Sequence, residues 1–281
     1  MGTLGRRGSH GRIVAWFLLA PRTGIGGVPP RLIELLCVER GLEVRVPAEP
    51  RAQWDMFRAL VNTRPPASAA AEFLALQDEL LRDIIAWRGI TDAREIPAAA
   101  RDGRLALWRG DITTLRADAI VNAANAQMLG CFVPGHRCID NAIHTFAGVQ
   151  LRLACDRLMA GQGCFEPTST AKVTEAFNLP SEHIIHTVGP IASGALSDAD
   201  RAALAACYRS CLEAAGNAGC KTIAFCCIST GVFGFPQDEA AAIAVDTVVG
   251  WLDGHPDAPL ERVVFDVFAD RDLELYQELL A

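Results

Sequence analysis

Three side chains that favour zinc lie close together near the middle of the chain. Cys131, His136 and Cys138 fall within eight residues, and thiolate sulfur and imidazole nitrogen are preferred ligands of Zn²⁺. Three protein ligands leave a fourth tetrahedral position for water or substrate, which is typical of catalytic rather than structural zinc. Two structural cysteines beside a surface histidine are the alternative. The pattern favours a reaction centre that holds one Zn²⁺ per chain.

Two polar residues follow this cluster at the start of a predicted helix. A carboxylate such as Asp140, beside a bound metal and followed by Asn141, could orient water or accept a proton. The helix dipole alone also favours an aspartate in a first turn, and Asp140 could serve both purposes. Four further residues that could bind a metal are more simply explained as core or structural residues: His144, Cys155, His183 and His186.

Short polar motifs elsewhere suit a nucleotide or a sugar. Asp111, in GDIT, could accept a hydrogen bond from an exocyclic amine such as that of adenine, although for this residue alone a turn or capping role is the simpler explanation. Asn122 and Asn125, in AIVNAAN, suit a sugar because an amide both donates and accepts. The alternative for both is that they satisfy loop backbone groups.

A glycine-containing loop, STGVFGFP, spans residues 229–236 between a predicted strand and a predicted helix. Gly231 and Gly234 permit positive φ and a close approach of the backbone to a ligand. Pro236 suits the first turn of a helix. The N–H groups of this loop could therefore hold a phosphate at the helix N-terminus, although glycine pairs are common.

The elements that must position these motifs alternate between strand and helix. Strands are predicted at Leu105–Trp108, Ala119–Asn122, Ser169–Glu175, His183–Thr187, Thr222–Ile228 and Val263–Phe268. Helices are predicted at Ile139–Met159, Asp198–Ala218, Gln237–Leu252 and Leu273–Leu280. This alternation predicts an α/β fold with a largely parallel sheet covered on both faces. Ligands bind beyond the carboxyl ends of such strands, where the candidate loops fall.

The chain before residue 101 has a different character. Apolar residues recur at helical spacing from Arg31 to Gly41, from Arg51 to Asn62 and from Ala69 to Trp87, so residues 29–100 are predicted to form a helical segment. Residues 1–28 are predicted to be a disordered extension. The apolar run Ile13–Ala20 is too short to span a bilayer.

Composition excludes some classes of function. The net charge of −7 argues against nucleic acid as a partner, because such proteins carry a basic face. Most of the ten cysteines are interpreted as buried thiols in a reducing compartment, since a chain of 281 residues with 51% hydrophobic content does not need a disulfide scaffold. With no predicted membrane segment, a cytoplasmic location is expected.

The motifs, in their order, resemble a known family. GDIT, AIVNAAN, IDNAIHTFAG, HTVGP and STGVFGFP together are similar to a macrodomain, a module that binds ADP-ribose. Macrodomain hydrolases of the MacroD type carry a glycine-rich run before their catalytic aspartate. Here GCFVPGHRC takes its place, which resembles the zinc-dependent macrodomains of microbial protein-ADP-ribosyl hydrolases. The segment FLALQDELLRDIIAWRGITD also resembles the N-terminal extension of those proteins.

The resemblance implies a three-layer α/β/α macrodomain over residues 101–281, with a mixed, largely parallel sheet, preceded by a helical N-terminal extension. Asp111 and Ile112 would contact adenine, and Phe268, with Phe265 nearby, would stack on it. Asn122 and Asn125 would hold the distal ribose. The diphosphate would be wrapped by Ser229, Thr230, Gly231, Val232, Phe233, Gly234 and Phe235. Zinc would be bound by Cys131, His136 and Cys138, and the catalytic residues would be Asp140 and Asn141.

The implied activity is the zinc-dependent release of ADP-ribose from mono-ADP-ribosylated protein side chains, by hydrolysis of a glycosidic or ester bond. Alternatives are a reader that binds ADP-ribose without releasing it, a deacetylase of O-acetyl-ADP-ribose, and a structural domain held by zinc. A functional link to a sirtuin-type ADP-ribosyltransferase is a further implication of the resemblance.

Overall fold

The computed structural model describes residues 27–281. Residues 1–26 lie outside this range, and most of the predicted disordered extension falls on them. Between residues 27 and 281, no helix combines the length and the apolar composition needed to cross a bilayer.

A six-stranded sheet forms the centre of the molecule. The strands of the described chain are β1 (Thr91–Asp92), β2 (Leu105–Arg109), β3 (Leu115–Arg116), β4 (Ala119–Ala124), β5 (Ala171–Glu175), β6 (His183–Val188), β7 (Thr222–Phe225) and β8 (Arg262–Val267). The sheet has the order β2-β8-β7-β4-β6-β5, while β1 and β3 form a short separate pair. All neighbours in the sheet are parallel except β5 and β6. The predicted mixed, largely parallel sheet is therefore confirmed.

Helices cover both faces of this sheet. They are α1 (Pro30–Glu39), α2 (Pro50–Asn62), α3 (Ala71–Arg88), α4 (Ile139–Ala147), α5 (Val149–Gln162), α6 (Asp198–Asn217), α7 (Gln237–Gly254) and α8 (Asp270–Leu280). Helices α6, α7 and α8 pack side by side, α4 and α5 contact β4 and β5, and α2 and α3 pack against α4. The strands in the centre are buried on both faces, as their nearly continuous apolar sequences require.

Two predicted boundaries change for local reasons. The predicted helix Ile139–Met159 is two helices, because Gly148 between them has a φ of 97°. That conformation ends α4 and lets α5 start in a new direction. The predicted strand from Ser169 begins at Ala171 instead, since Ser169 has a φ of 76° and cannot continue an extended ladder.

The N-terminal helices share one hydrophobic core with the sheet. Leu32, Phe57 and Leu81 are fully buried and belong to the same cluster as Val121 and Val264. Residues 27–100 are thus packed as part of the body of the molecule. Helices α1, α2 and α3 occupy much of this range, and Gly41 has the positive φ of 63° expected after the end of α1.

Candidate active site

The predicted motifs meet at one edge of the sheet. Strands β2, β8, β7 and β4 are consecutive, parallel neighbours, so their carboxyl ends lie side by side. The residues that follow these ends are Asp111 after β2, Phe268 after β8, the loop 226–236 after β7 and the loop 125–138 after β4. This is the edge at which parallel α/β sheets bind ligands.

The three predicted zinc ligands lie together in the loop after β4. The ligand atoms of Cys131, His136 and Cys138 are all within 4.8 Å of one another, and Cys131 Sγ is 3.6 Å from His136 Nδ1. Tetrahedral zinc with Zn–S of about 2.3 Å and Zn–N of about 2.0 Å places sulfur and nitrogen about 3.5 Å apart. All three side chains are half-buried, so the cluster is partly accessible to solvent. The donor set and its spacing fit Zn²⁺ with a position left for another ligand.

Asn141 organises this loop from the first turn of α4. Its side-chain Nδ2 donates to the carbonyl oxygens of Cys131 (3.3 Å) and Val133 (3.0 Å). Its backbone N–H donates to Cys138 Sγ at 3.4 Å, which caps the helix. Asn141 is fully buried. The Asn141 amide is thus committed to the loop and has no exposed surface, and its predicted catalytic role stays a prediction.

Helix α2 supports the same loop from the other side. Arg58 Nη2 donates to the carbonyl oxygen of His136 (3.0 Å) and to Asn141 Oδ1 (2.8 Å). Asn62 accepts from the backbone N–H of Gly135 at 3.0 Å and donates to Thr145 Oγ1 at 2.9 Å. These contacts could not be predicted from the sequence, because their partners lie more than 70 residues further along the chain.

Asp140 follows the loop that carries the three candidate zinc ligands, and its side chain is buried. Its Oδ1 accepts a hydrogen bond from Asn122 Nδ2 at 2.9 Å, and its Oδ2 accepts from Asn125 Nδ2 at 3.4 Å. Burial raises the pKa of Asp140 to about 6, although the hydrogen bond from Asn122 and the charge of Arg152 oppose this rise. A carboxyl group with a pKa near neutrality is suited to accepting a proton from an attacking water.

Asn122 donates a hydrogen bond to Asp140. It is fully buried in β4, and its Nδ2 also lies 3.1 Å from His186 Nδ1. Its predicted contact with a ribose stays a prediction. Asn125, which directly follows β4, is half-buried.

A second group of His and Cys residues lies beneath Asp140. The ligand atoms of His144, Cys155 and His186 are within 4.8 Å of one another, and all three residues are buried. Both ring nitrogens of His186 have polar neighbours, since Nε2 is 2.9 Å from Thr174 Oγ1 and Nδ1 is next to Asn122. Burial lowers the pKa of both histidines, so the rings are neutral. We assign this group to the structural role predicted for it.

Asp111 is held by two sets of donors at the other end of the edge. Its Oδ1 accepts from the backbone N–H (3.0 Å) and the hydroxyl (2.6 Å) of Thr113, in the 3₁₀ turn that contains Ile112. Its Oδ2 pairs with Arg88 Nη1 at 3.0 Å, and the Arg88 guanidinium also lies over the ring of Phe146, 4.3 Å from its centroid. The capping role and the proposed role toward adenine are compatible, because the carboxylate can accept a further bond.

Two aromatic residues near this end differ in exposure. Phe268 is 45% exposed, whereas Phe265 is buried against Phe225 and Tyr276 in the core. Of the two phenylalanines considered for stacking on adenine, only Phe268 lies at the surface.

The loop after β7 is folded tightly on itself. Phe235 N–H donates to the carbonyl of Ser229, and Gly234 N–H donates to that of Gly231, both at 3.0 Å. Positive φ occurs at Gly234 (69°) and at Ser229 (66°). Gly231 does not have a positive φ. A side chain in this region of φ is costly, and such strain is concentrated at ligand-binding loops.

Some side chains of this loop are exposed at the surface and others are buried in the core. Val232 is 78% exposed, while Phe235 and Ser229 are buried. Thr230 donates to the carbonyl of Cys227, and Phe233 accepts from the N–H of Ala192. The predicted phosphate contacts of Ser229 and Phe235 can therefore come only from their backbones. Pro236 precedes α7 as its N-cap rather than lying in its first turn.

Comparison with known proteins assigns the family. Residues 121–244 match the family model for the Macro domain. A protein-ADP-ribose hydrolase of Treponema medium is 51% identical over 240 residues, which cover 85% of this chain and 91% of that protein. The protein-ADP-ribose hydrolase of Staphylococcus aureus strain MRSA252 is 49% identical over 80% of this chain and 84% of its own length.

Solved structures share the fold. The Oceanobacillus iheyensis macrodomain with MES bound is 40% identical, with a TM-score of 0.57 over 62% of this chain and 88% of the other. The Trypanosoma brucei macrodomain in complex with ADP-ribose is 28% identical, with a TM-score of 0.61 over 80% and 95%. With this fold, these motifs and relatives that match most of its length, the chain belongs to the macrodomain family.

Proposed function

We propose that this protein is a zinc-dependent protein-ADP-ribose hydrolase, which removes ADP-ribose from mono-ADP-ribosylated proteins. Its curated relatives at about half identity carry that hydrolase name, and a macrodomain related in structure binds ADP-ribose. The observation that carries the zinc dependence is the Cys131, His136 and Cys138 cluster, which lies in the loop immediately before the buried Asp140.

The nucleotide would extend along the sheet edge. Asp111 and Phe268 would hold adenine at one end, the backbone of loop 229–235 would hold the diphosphate, and Asn125 would hold the distal ribose at the other end. This order follows the positions of the motifs after β2, β8, β7 and β4. The scissile bond would then lie near Asp140 and the cysteines.

The reaction would be hydrolysis at the anomeric carbon of the distal ribose. Asp140 accepts a proton from water as the water oxygen bonds to the anomeric carbon. The bond between that carbon and the protein side chain breaks, its electron pair leaves with the side chain, and the proton held by Asp140 passes to that leaving group or to solvent. Asn122 and Asn125 hold the Asp140 carboxylate in place for this transfer. A zinc ion bound by Cys131, His136 and Cys138 would supply Lewis-acid polarisation of a hydroxyl group or water.

The test is release of ADP-ribose from a mono-ADP-ribosylated protein mixture by native, chelator-stripped and zinc-reloaded enzyme. We expect release to vanish on stripping and to return with zinc. Cys138→Ser should behave like the stripped enzyme, whereas Cys164→Ser, at an exposed thiol, is the matched control and should retain activity.

Other outcomes would redirect the proposal. If the release of ADP-ribose does not depend on zinc, the protein would be a hydrolase that depends on Asp140, and the proposed zinc dependence would be overturned. Absence of release in every state, with ADP-ribose still bound, would indicate a reader. Preference for O-acetyl-ADP-ribose over modified protein would indicate the deacetylase. The link to a sirtuin-type transferase and the cytoplasmic location stay predictions.

A further inference from the structure

Two residues of helix α2 lie one helical turn apart and face the proposed zinc-binding loop, which spans residues 131–138. Arg58 and Asn62 have i, i+4 spacing, which places their side chains on the same face of a helix. Arg58 is half-buried and Asn62 is 1% exposed. Neither residue belongs to the sheet edge or to the motifs of the nucleotide cleft.

Each of the two side chains joins the loop to helix α4. Arg58 Nη2 bonds the carbonyl of His136 in the loop and Asn141 Oδ1 in α4. Asn62 bonds the N–H of Gly135 in the loop and the hydroxyl of Thr145 in α4. Arg58 and Asn62 therefore each connect the loop to α4. Together these hydrogen bonds fix the backbone of the histidine ligand relative to the helix that carries Asp140.

We propose that Arg58 and Asn62 are positioning residues of the metal centre, and that helix α2 thereby sets how tightly the chain retains zinc. The inference rests on the proposed zinc dependence. It assigns the N-terminal helical segment a part in the reaction, through the geometry of His136 and Asn141. Mutation of residues that hydrogen-bond to metal ligands without binding the metal themselves commonly lowers metal affinity by about 10- to 100-fold.

The experiment measures zinc affinity of the full-length protein by competition with a chromophoric chelator. Arg58→Met and Asn62→Ala are compared with Arg51→Met, an exposed arginine of the same helix that pairs only with Asp55 among the described residues. We expect Arg58→Met and Asn62→Ala to weaken zinc binding at least about tenfold, and Arg51→Met to bind like the unmodified protein. ADP-ribose affinity, measured by calorimetry, should change much less than zinc affinity.

Thermal midpoints of the zinc-free proteins separate this role from a general loss of stability. If Arg58→Met does not fold, Arg58→Lys carries the test against Arg51→Lys. We expect a partial loss of zinc affinity, because an ammonium group lacks the planar fork of arginine. Zinc affinities equal to those of the controls would overturn the inference. Failure of the unmodified protein to bind zinc would instead overturn the zinc-dependent function itself.

Discussion

At the scale of single residues, the surroundings of Asp140 determine the pKa of its carboxyl group. The side chain is almost completely buried, yet it accepts hydrogen bonds from two asparagine amides. Burial favours the protonated form, and amide donors favour the ionised form. The balance leaves the pKa at about 6, between that of an ordinary carboxyl group and that of a fully apolar site.

Asp140→Asn should separate binding from turnover. The substitution preserves shape and removes the proton acceptor, so we expect the rate of ADP-ribose release to fall by about 100-fold or more. Affinity for ADP-ribose, measured by calorimetry, should stay within about threefold. Asp257→Asn, at an exposed position, is the control. Equal losses of rate and affinity would show that Asp140 acts in binding rather than in chemistry.

A second buried carboxyl group, Asp266 in β8, has no catalytic neighbour but affects stability. Burial, and then the charge of Asp111, raise its pKa well above the usual value. Its Oδ1 has no hydrogen-bond partner among residues 27–281. The folded chain therefore holds a proton that the unfolded chain releases above about pH 4.

Asp266→Asn should reduce the pH dependence of stability. In the unmodified protein the free energy of unfolding should decrease as pH rises from about 4 toward the raised pKa, because the folded state binds more protons. The asparagine has no proton to lose, so its thermal midpoint should fall less between pH 5 and pH 8. Equal decreases in the thermal midpoints of both proteins over this pH range would contradict this account.

At the scale of elements, the break between α4 and α5 depends on one glycine. A Cβ at Gly148 would lie 2.6 Å from both Gln77 Nε2 and Gln150 Oε1. The positive φ adds strain for any other residue. This break lets α4 direct Asp140 toward the cleft while α5 follows β5.

Gly148→Ala should therefore destabilise the protein. We expect a loss of about 1–3 kcal/mol in the free energy of unfolding, measured by denaturant titration. Gly161→Ala provides the matched control in α5, where a Cβ meets nothing within 4 Å, and should be neutral or stabilising by up to about 1 kcal/mol. Similar effects at both positions would argue against a special role for the break.

Helix α3 also reaches the nucleotide edge, through the pair of Arg88 and Asp111. Both side chains are nearly buried, at 8% and 12% exposure. Arg88→Met would leave the carboxylate without its partner, at an expected cost of about 3 kcal/mol. Adding Asp111→Asn should recover part of this loss. Arg82→Met, on the exposed face of α3, should change stability by less than about 0.5 kcal/mol; an equal loss there would refute the pairing argument.

Elements could be predicted from sequence where one local pattern decides them. The alternation of strands and helices was visible in this way, and so were the candidate zinc ligands, which fall within eight residues. The break at Gly148 was not, because apolar residues continue through it. The roles of Asn122, Asn141 and Arg58 could not be predicted either, since they depend on burial and on partners from distant segments.

At the scale of the whole molecule, the N-terminal helices and the macrodomain fold share a core. A single cluster of buried hydrophobic residues includes members from both parts of the chain, from Val28 to Leu280. We therefore expect a single cooperative unfolding transition, observed alike by circular dichroism and by tryptophan fluorescence. Two transitions that differ between the probes would show that residues 27–100 unfold independently.

The contacts made by helix α2 also order the events of folding. Arg58 and Asn62 bond residues that lie 73 to 83 positions later in the chain. During synthesis, α2 leaves the ribosome well before the residues it must hold. Closing so long a segment costs entropy before any contact compensates for it, so contacts of this kind form late. The loop that carries the candidate zinc ligands is thus expected to acquire its final shape only after the N-terminal helices have docked. Under the proposed zinc dependence, the capture of zinc would be one of the last steps of maturation.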